Sequence, residues 1–574
     1  MVAAVLVLTA CGVPDSGHPV VLRQIAPGGA DQPDPSNVHS EPSAPRKDGT
    51  AVQSVEGFLL ALATTPENSY AAAKNFLSPA NQRWAPTGPL RVFSQTAVAS
   101  VGKPDSGQVR ITGSQVGLLN ADGTFTPQPA TVDVTVQLNR ADGLWRIDNP
   151  PADVLFRSDF FSQSYVPVPL YFLDPTGQRL VPDIRYLDAS TSLSDRWTAA
   201  MRLLIAGPSP WLTGAVKTAI PASTRLRGNV IQEDQDVAVD VSSDAALTPQ
   251  NLVAGMVAQF VWSMKGAVGG VAGGSVQLLV DGRQVTSIGT GATVKQIQNQ
   301  YDPSAATAHL DPFRIVGGGV VQKVLDAPDA PDVPSAVSAA TGVRSAAMSI
   351  DGGAVAMVRS AAGGRQTLFT GPSAGPLRPV LTAGTVSAPT WEPDHSGALA
   401  AVDGREIGYA PMDHPVITAG APGLAAILGK SGRLVAVRLA PDGVHLALVV
   451  SDGSVGQVLV GVFQAGTFSA AVTSLRVISS KLTGATDVAW TGGDNALLTI
   501  GRRGEVVQNE IVADGSGEQI TLAVGLHDVP TQIAAVPNRT LVTSGGYVYQ
   551  SFQRGWASPD NSHLIPGTGV FYPG

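Results

Sequence analysis

A turn-forming anchor recurs along the C-terminal part of the chain and limits what that part can become. Its copies are Ser349-Ile350-Asp351-Gly352, Trp391-Glu392-Pro393-Asp394, Ala440-Pro441-Asp442-Gly443, Trp490-Thr491-Gly492-Gly493-Asp494 and Ala535-Val536-Pro537-Asn538. Their Asp or Asn members are spaced by 43, 48, 52 and 44 residues. Strand-like runs follow, such as Ala447-Leu448-Val449-Val450 and Ala496-Leu497-Leu498-Thr499-Ile500. A period of ~40–50 residues with several short strands per unit is the signature of a β-propeller. One small sheet cannot bury both of its faces alone, whereas a ring of sheets covers each face with the next. We therefore expect an all-β propeller over 311–574 with about five to seven blades. The run Phe313 to Leu325 and the tail beyond Trp556-Ala557-Ser558-Pro559-Asp560 are read as parts of a further blade. Trp391 and Trp490 recur at equivalent positions, so we read them as packing residues between blades.

Upstream, over 165–300, helical and strand patterns alternate. Val168 to Asp174 reads as a strand ending in the turn Asp174-Pro175-Thr176-Gly177. Ser194 is positioned to cap a helix carrying Trp197, Met201, Leu204 and Ile205 on one face, and Gly207-Pro208 stops it. Val237, Val239 and Val241 alternate with Ala238 and Asp240 as a strand. Thr248-Pro249 reads as a capped start with proline at the first helical position. The helix after it stripes Leu252, Val253, Met256, Val257, Phe260, Val261 and Met264 together. Val276 to Val280 reads as a last buried strand. The segment is an α+β unit with helices on one face of a sheet.

The segment 51–152 places Val55, Phe58, Leu59 and Leu62 at helical spacing. A second helix is expected from Ser69, with Tyr70, Ala73, Phe76 and Leu77 inward. Val132, Val134, Val136 and Leu138 then alternate as a strand, and Gly143-Leu144-Trp145-Arg146-Ile147 closes the unit. Two helices followed by a curved antiparallel sheet resemble the cone-shaped folds of the nuclear-transport-factor-2 (NTF2) type. The expected architecture is thus multidomain, with two α+β domains followed by the propeller.

The chain contains one cysteine, Cys11, directly after Leu8-Thr9-Ala10 and the apolar run Val2 to Leu8. That arrangement is a lipobox in pattern. The apolar run enters the membrane, small residues admit a signal peptidase between Ala10 and Cys11, and the thiol takes a diacylglycerol while the new N-terminus is acylated. Residues 1–10 are then a signal peptide. No Lys or Arg precedes Arg23, so a basic n-region is missing and the true start is expected upstream. Residues 11–50, rich in Pro, Gly, Ser and Asp, read as a lipidated flexible tether. A single cysteine permits no internal disulfide.

Composition removes several functions. The net charge is −8 with no basic block, so nucleic acid, which needs clustered Lys and Arg, is not an expected partner. Charged residues are 14% of the chain, low against the usual quarter or so. Past Cys11 no apolar run reaches the ~18 residues needed to span a bilayer. Gly371-Pro372-Ser373-Ala374-Gly375 matches a nucleophile elbow, but that motif needs a helix after it and Pro376 and Pro379 forbid one. Gly429-Lys430-Ser431 ends like a P-loop, but Leu424 stands where its first glycine belongs. The histidines at 18, 39, 309, 395, 414, 445, 527 and 563 show no metal-binding spacing. Asp234, Asp236, Asp240 and Asp244 lack the glycine of a calcium loop and read as the solvated face of a strand. No catalytic residue, metal or cofactor is expected, and the chain does not read as an enzyme.

Tyr171-Phe172-Leu173-Asp174, Leu203-Leu204-Ile205-Ala206-Gly207-Pro208, Ala219-Ile220-Pro221, Val239-Asp240-Val241-Ser242 and Leu279-Val280-Asp281-Gly282 resemble the GerMN domain of sporulation and germination proteins. Joined to the lipobox, the cone and the propeller, they make the whole chain resemble the actinobacterial lipoprotein LpqB family. That resemblance implies a lipoprotein, with palmitate among its acyl groups, on the extracytoplasmic face of the cell membrane. It implies a partner too, the extracytoplasmic domain of a membrane sensor histidine kinase of the MtrB type. The role implied is that of an accessory regulator in two-component signalling, cell-envelope homeostasis and division. Only Cys11 carries over as a functional residue. The competing reading is a cell-wall glycan-binding or glycan-processing protein that uses the propeller channel, which would need two carboxylates ~5–9.5 Å apart.

Overall fold

A computed structural model describes residues 44–574 except 65–69, 105, 234–235, 269–274, 289–290, 306, 308–309, 326–332, 395, 467, 493–494, 554 and 561–562. Ala10, Cys11 and most of the expected tether lie outside the described residues. No described helix is long and apolar enough to cross a membrane.

The first unit packs the helix Ala51–Thr64 on a five-stranded sheet. Val55, Phe58, Leu59 and Leu62 are fully buried on its inner face, as their spacing predicts. The sheet runs in the order Leu144–Ile147, Phe125–Ala141, Gln108–Leu119, Leu90–Ser100 and Val154–Arg157. Only the last pair is parallel. Val132, Val136 and Leu138 point into the core and Val134 is half-buried. The sheet therefore takes a strand from beyond the expected boundary at 152. The second helix is shorter than expected. Ser69 falls outside the described residues, and only Ala71–Lys74 is helical. Phe76 and Leu77 are buried as expected, but their backbone is committed elsewhere. Ile147 donates its N–H to the Phe76 carbonyl and accepts from Ser78 N, both at 2.8 Å. The chain then makes a separate tight turn, Pro79–Asn81, with the proline at its first position.

The second unit contains a hairpin, Tyr165–Leu173 with Leu180–Asp188, and a separate four-stranded sheet. That sheet orders Arg283–Gln284, Val276–Val280, Asp236–Val241 and Ile231–Glu233. The helix Val253–Val268 packs against the hairpin, the sheet and the helix Leu193–Ala206. Met256, Val257, Phe260, Val261 and Met264 form its buried stripe. Three details depart from the sequence reading. Ser192, not Ser194, caps the first helix: its Oγ accepts from Asp195 N at 3.2 Å, while the Ser194 hydroxyl donates to the Val230 carbonyl. The Thr248 hydroxyl donates back to the Ala245 carbonyl, and one tight turn, Gln250–Leu252, precedes the long helix. Val276–Val280 buries only Leu278 and is flanked by the short edge strand Arg283–Gln284, so it is neither fully buried nor last.

The third unit is a ring of six sheets among the described residues. Five follow one another over 343–383, 390–419, 433–482, 488–522 and 532–557, the fifth gaining the strand Ile565–Pro566. The sixth closes the ring. The C-terminal strand Gly569–Phe571 pairs with Phe313–Val316, which pairs with Val320–Lys323. Every anchor falls between the first and second strands of its blade, Gly493 and Asp494 of the fourth lying outside the described residues, and those first strands abut around the axis. The anchors therefore gather on one face of the ring. Trp391 donates its indole N–H to the Ala347 carbonyl and Trp490 to the Arg438 carbonyl, each on the inner strand of the preceding blade. Both rings are buried and join blade to blade, as their repetition predicts.

Phe313 and Phe571 stack across the closing seam with centroids 5.4 Å apart. Removing a buried phenylalanine ring costs about 3–5 kcal/mol. Phe313→Ala should therefore lower the unfolding temperature of the propeller and expose the amides of 313–316 and 569–571 to hydrogen exchange first. Uniform protection around the ring in the variant would contradict this closure.

Candidate functional site

The three units meet at one place, built from residues far apart in sequence. The first two units share an aromatic core. Tyr186, from the hairpin, packs on Phe161 with centroids 5.0 Å apart and on Phe125 at 6.4 Å. The turn at Asp122-Gly123 docks on the same strand. Gly123 O accepts from Tyr186 N at 2.7 Å, and Asp122 O accepts from Arg185 Nη1 at 2.9 Å. Gly123 has a φ of 78°, and a Cβ there would come within 3.1 Å of Tyr186 O. Arg185 is buried and paired with Asp183 at 2.7 Å. Asp183 also accepts from Ser209 N at 2.7 Å, fixing the loop after the helix Leu193–Ala206.

That loop carries Trp211 onto the anchor face of the propeller. The Trp211 ring lies against His445 with centroids 5.1 Å apart, and the Arg476 guanidinium sits 4.5 Å from its centre on the propeller side. Its N–H donates to the Ser474 carbonyl at 3.2 Å. The His445 ring is held at Nδ1 by the Asp442 carboxylate, 2.5 Å away, and both groups are buried. Val444 and Val462, both in the third blade, belong to the buried core of the second unit. Trp211 packs on both that core and the core between the third and fourth blades.

Two further contacts complete the junction. The Tyr186 hydroxyl meets Ser516 Oγ at 2.5 Å, and Arg476 Nη1 donates to the Phe125 carbonyl at 3.4 Å. Between the units lies a cavity of about 80 Å³. Asn120, Thr126, Ser209, Trp211, Arg476 and Asp514 are among its walls. Burial pushes the Asp514 carboxyl above its ordinary value, opposed by the Ser516 donors. Burial likewise pulls the Arg476 guanidinium down, opposed by Asp514 and Asp183. The Tyr186 hydroxyl is pushed well up, mainly by burial.

Inside the ring, Arg438 on an inner strand pairs with Asp487 at 2.8 Å. Asp487 also accepts from Ile533 N at 2.9 Å, and Arg438 donates to the Ala388 carbonyl at 3.1 Å. The pair ties four blades together. Elsewhere, Glu392 in an anchor turn is pushed up by burial and accepts from the Tyr409 hydroxyl at 2.6 Å.

The remaining sequence candidates are placed as follows. Gly371-Pro372 ends the strand Gln366–Pro372 and a turn leads straight into Arg378–Ala383, so no helix follows the elbow pattern. Gly429-Lys430-Ser431 follows the short helix Leu424–Leu428. Asp236 accepts from Ser275 and Gln277, which hold it below the carboxylate range, and Asp240 pairs with Arg227. Asp234 lies outside the described residues, as do His18, His39, His309 and His395. Among the described residues no group of His, Cys, Asp or Glu could hold a metal ion. The junction residues were missed in sequence. The usable signal was Trp211, a large ring in the short loop Gly207-Pro208-Ser209-Pro210, where no helix or strand periodicity accounts for it.

Comparison with known proteins divides the chain in the same way. A model described as the N-terminal domain of lipoprotein LpqB matches residues 44–162. One described as sporulation and spore germination matches 169–286, and one described as the lipoprotein LpqB beta-propeller domain matches 318–562. Proteins named lipoprotein LpqB align along nearly the whole chain. That of Nocardia farcinica is 28% identical over 97% of this chain and 92% of its own length. That of Mycobacterium tuberculosis is 27% identical over 99% and 97%. Among solved structures, TolB from Acinetobacter baumannii covers 46% of this chain and 66% of its own, at 14% identity and a TM-score of 0.31.

The junction makes stability depend on pH. In the unfolded chain an aspartate titrates near pH 3.9, and in the folded protein Asp514 titrates above its ordinary value. The folded state then binds the proton more tightly, so stability is full below the unfolded value and is lost as pH rises through the folded one. Asp514→Asn should leave the melting temperature near pH 4 almost unchanged and raise it near pH 8. An equal decline with pH in both proteins, followed by thermal unfolding, would contradict the assignment.

Proposed function

Because this chain belongs to the LpqB lipoprotein family, we propose that it is held by lipid at Cys11 on the extracytoplasmic face of the cell membrane. There it acts as an accessory regulator of a two-component sensor kinase, binding the extracytoplasmic domain of a kinase of the MtrB type. The finding that supports this most is the junction. Three domains locked together present one broad, rigid surface to a partner, and a rigid surface loses little entropy on binding. The kinase as partner rests on the family resemblance. The competing glycan-processing reading needs free paired carboxylates in the channel. Asp487, near the axis, is buried, paired with Arg438 and bonded to Ile533 N, so it is not one of them.

Two experiments test this. Cys11→Ala should move the protein from the membrane fraction to the soluble fraction, and retention on membranes would overturn the anchor. In-cell crosslinking of the wild-type protein should recover a membrane sensor kinase, whereas recovery of glycan alone would transfer support to the competing reading.

A further inference from the structure

We propose that the three-domain junction is a binding site for a small oxyanion, a short carboxylate or inorganic phosphate, clasped between Arg476 and Ser209. The proposal stands apart from the kinase reading and does not depend on it. The cavity of about 80 Å³ is bordered by all three units. A buried water needs about 10–15 Å³ of such space, so several waters or one small anion fit and a sugar chain does not.

The chemistry of the walls selects the anion. Arg476 is half-buried, and its one direct hydrogen bond in the described structure is the 3.4 Å contact with the Phe125 carbonyl. No described carboxylate lies within ion-pairing distance of it. One face of the guanidinium is covered by Trp211, which leaves its edge, a fork of donors matched to two oxygens of one anion. Ser209 is 1% exposed, borders the same cavity, and its hydroxyl makes no hydrogen bond. Leaving such a buried donor unmade costs about 1–3 kcal/mol, so a ligand that accepts from it is favoured. The carboxylates nearest Arg476, Asp183 and Asp514, act on it through space without forming an ion pair. Asp183 is committed to Arg185 and Ser209 N. Asp514 accepts from Ser516 N and is also held by the Ser516 and Tyr186 hydroxyls. Burial raises its pKa, which lessens its repulsion of a bound anion. His445 is held by Asp442.

An anion bound there would touch the first unit at Asn120 and Thr126, the second at Ser209 and the propeller at Arg476. Its binding energy would then appear as cohesion between the domains.

The test titrates the purified full chain with inorganic phosphate and with acetate, at constant ionic strength balanced by chloride, reading calorimetric heat and melting temperature. Saturable binding of either anion is expected. Arg476→Gln should weaken it at least about tenfold, the size of a lost charged hydrogen bond. Ser209→Ala removes a buried hydroxyl that bonds nothing, so the ligand-free protein should melt at or above the wild-type temperature while binding weakens about threefold or more. If Arg476→Gln fails to fold, Ser209→Ala carries the test. No saturation by either anion up to about 50 mM, a weaker regime than millimolar affinity, would overturn the proposal. So would binding that survives both substitutions, or chloride acting equally well.

Discussion

The indole of Trp211, packed against both the His445 ring and the Arg476 guanidinium, is the contact on which the shape of this protein depends. Domains of one chain move relative to each other by default unless their interface is large and apolar. Here the interface is continued into the cores. Val444 and Val462 of the propeller lie in the core of the second unit, and Tyr186 of the second unit lies in the aromatic cluster of the first. Trp211 joins these by packing on two cores at once. A half-buried cation–π contact adds about 1 kcal/mol, and it is directional, so it helps set the angle at which the propeller docks. The close approach at Gly515 shows how little freedom remains. Its φ is 80°, and an added Cβ would lie 2.6 Å from Pro127 of the first unit.

The propeller supplies a rigid platform for that docking. Each blade covers the next, and the tryptophans at 391 and 490 turn this apolar burial into a fixed register by reaching the backbone of the preceding blade. Arg438 and Asp487 do the same work near the axis. A buried ion pair is weak evidence for stability by itself. This one is fully bonded to backbone groups of the neighbouring blades, so its value lies in specifying how they meet. The anchor turns then collect on one face, and that face carries Asp442, His445 and Asp514 to the junction.

The fold was legible where periodicity had room to show. The five anchors pointed to the ring, and the run Phe313 to Leu325 holds two of the three strands of its closing blade. The striped helices over 51–64 and 253–268 were legible for the same reason. Elements decided by hydrogen bonds rather than by apolar spacing were not. The helix expected from Ser69 shrank to Ala71–Lys74 because Ile147 captured the backbone of Phe76 and Ser78. Ser192 and Ser194 are equally good caps on paper, and only the fold shows that Val230 engages the second. The junction was illegible because its residues, from 120 to 514, share no local pattern. Arg476 and Asp514 look like ordinary surface charges in a strand and a turn until the other units cover them.

The central claim is that the three domains form one rigid body. Spin labels at Lys103→Cys in the first unit and Lys430→Cys in the propeller, both exposed positions, would report it in a Cys11→Ser background. The account predicts a single narrow distance distribution, which broadens when Trp211 is replaced by alanine. A broad distribution in the protein that retains Trp211 would contradict it.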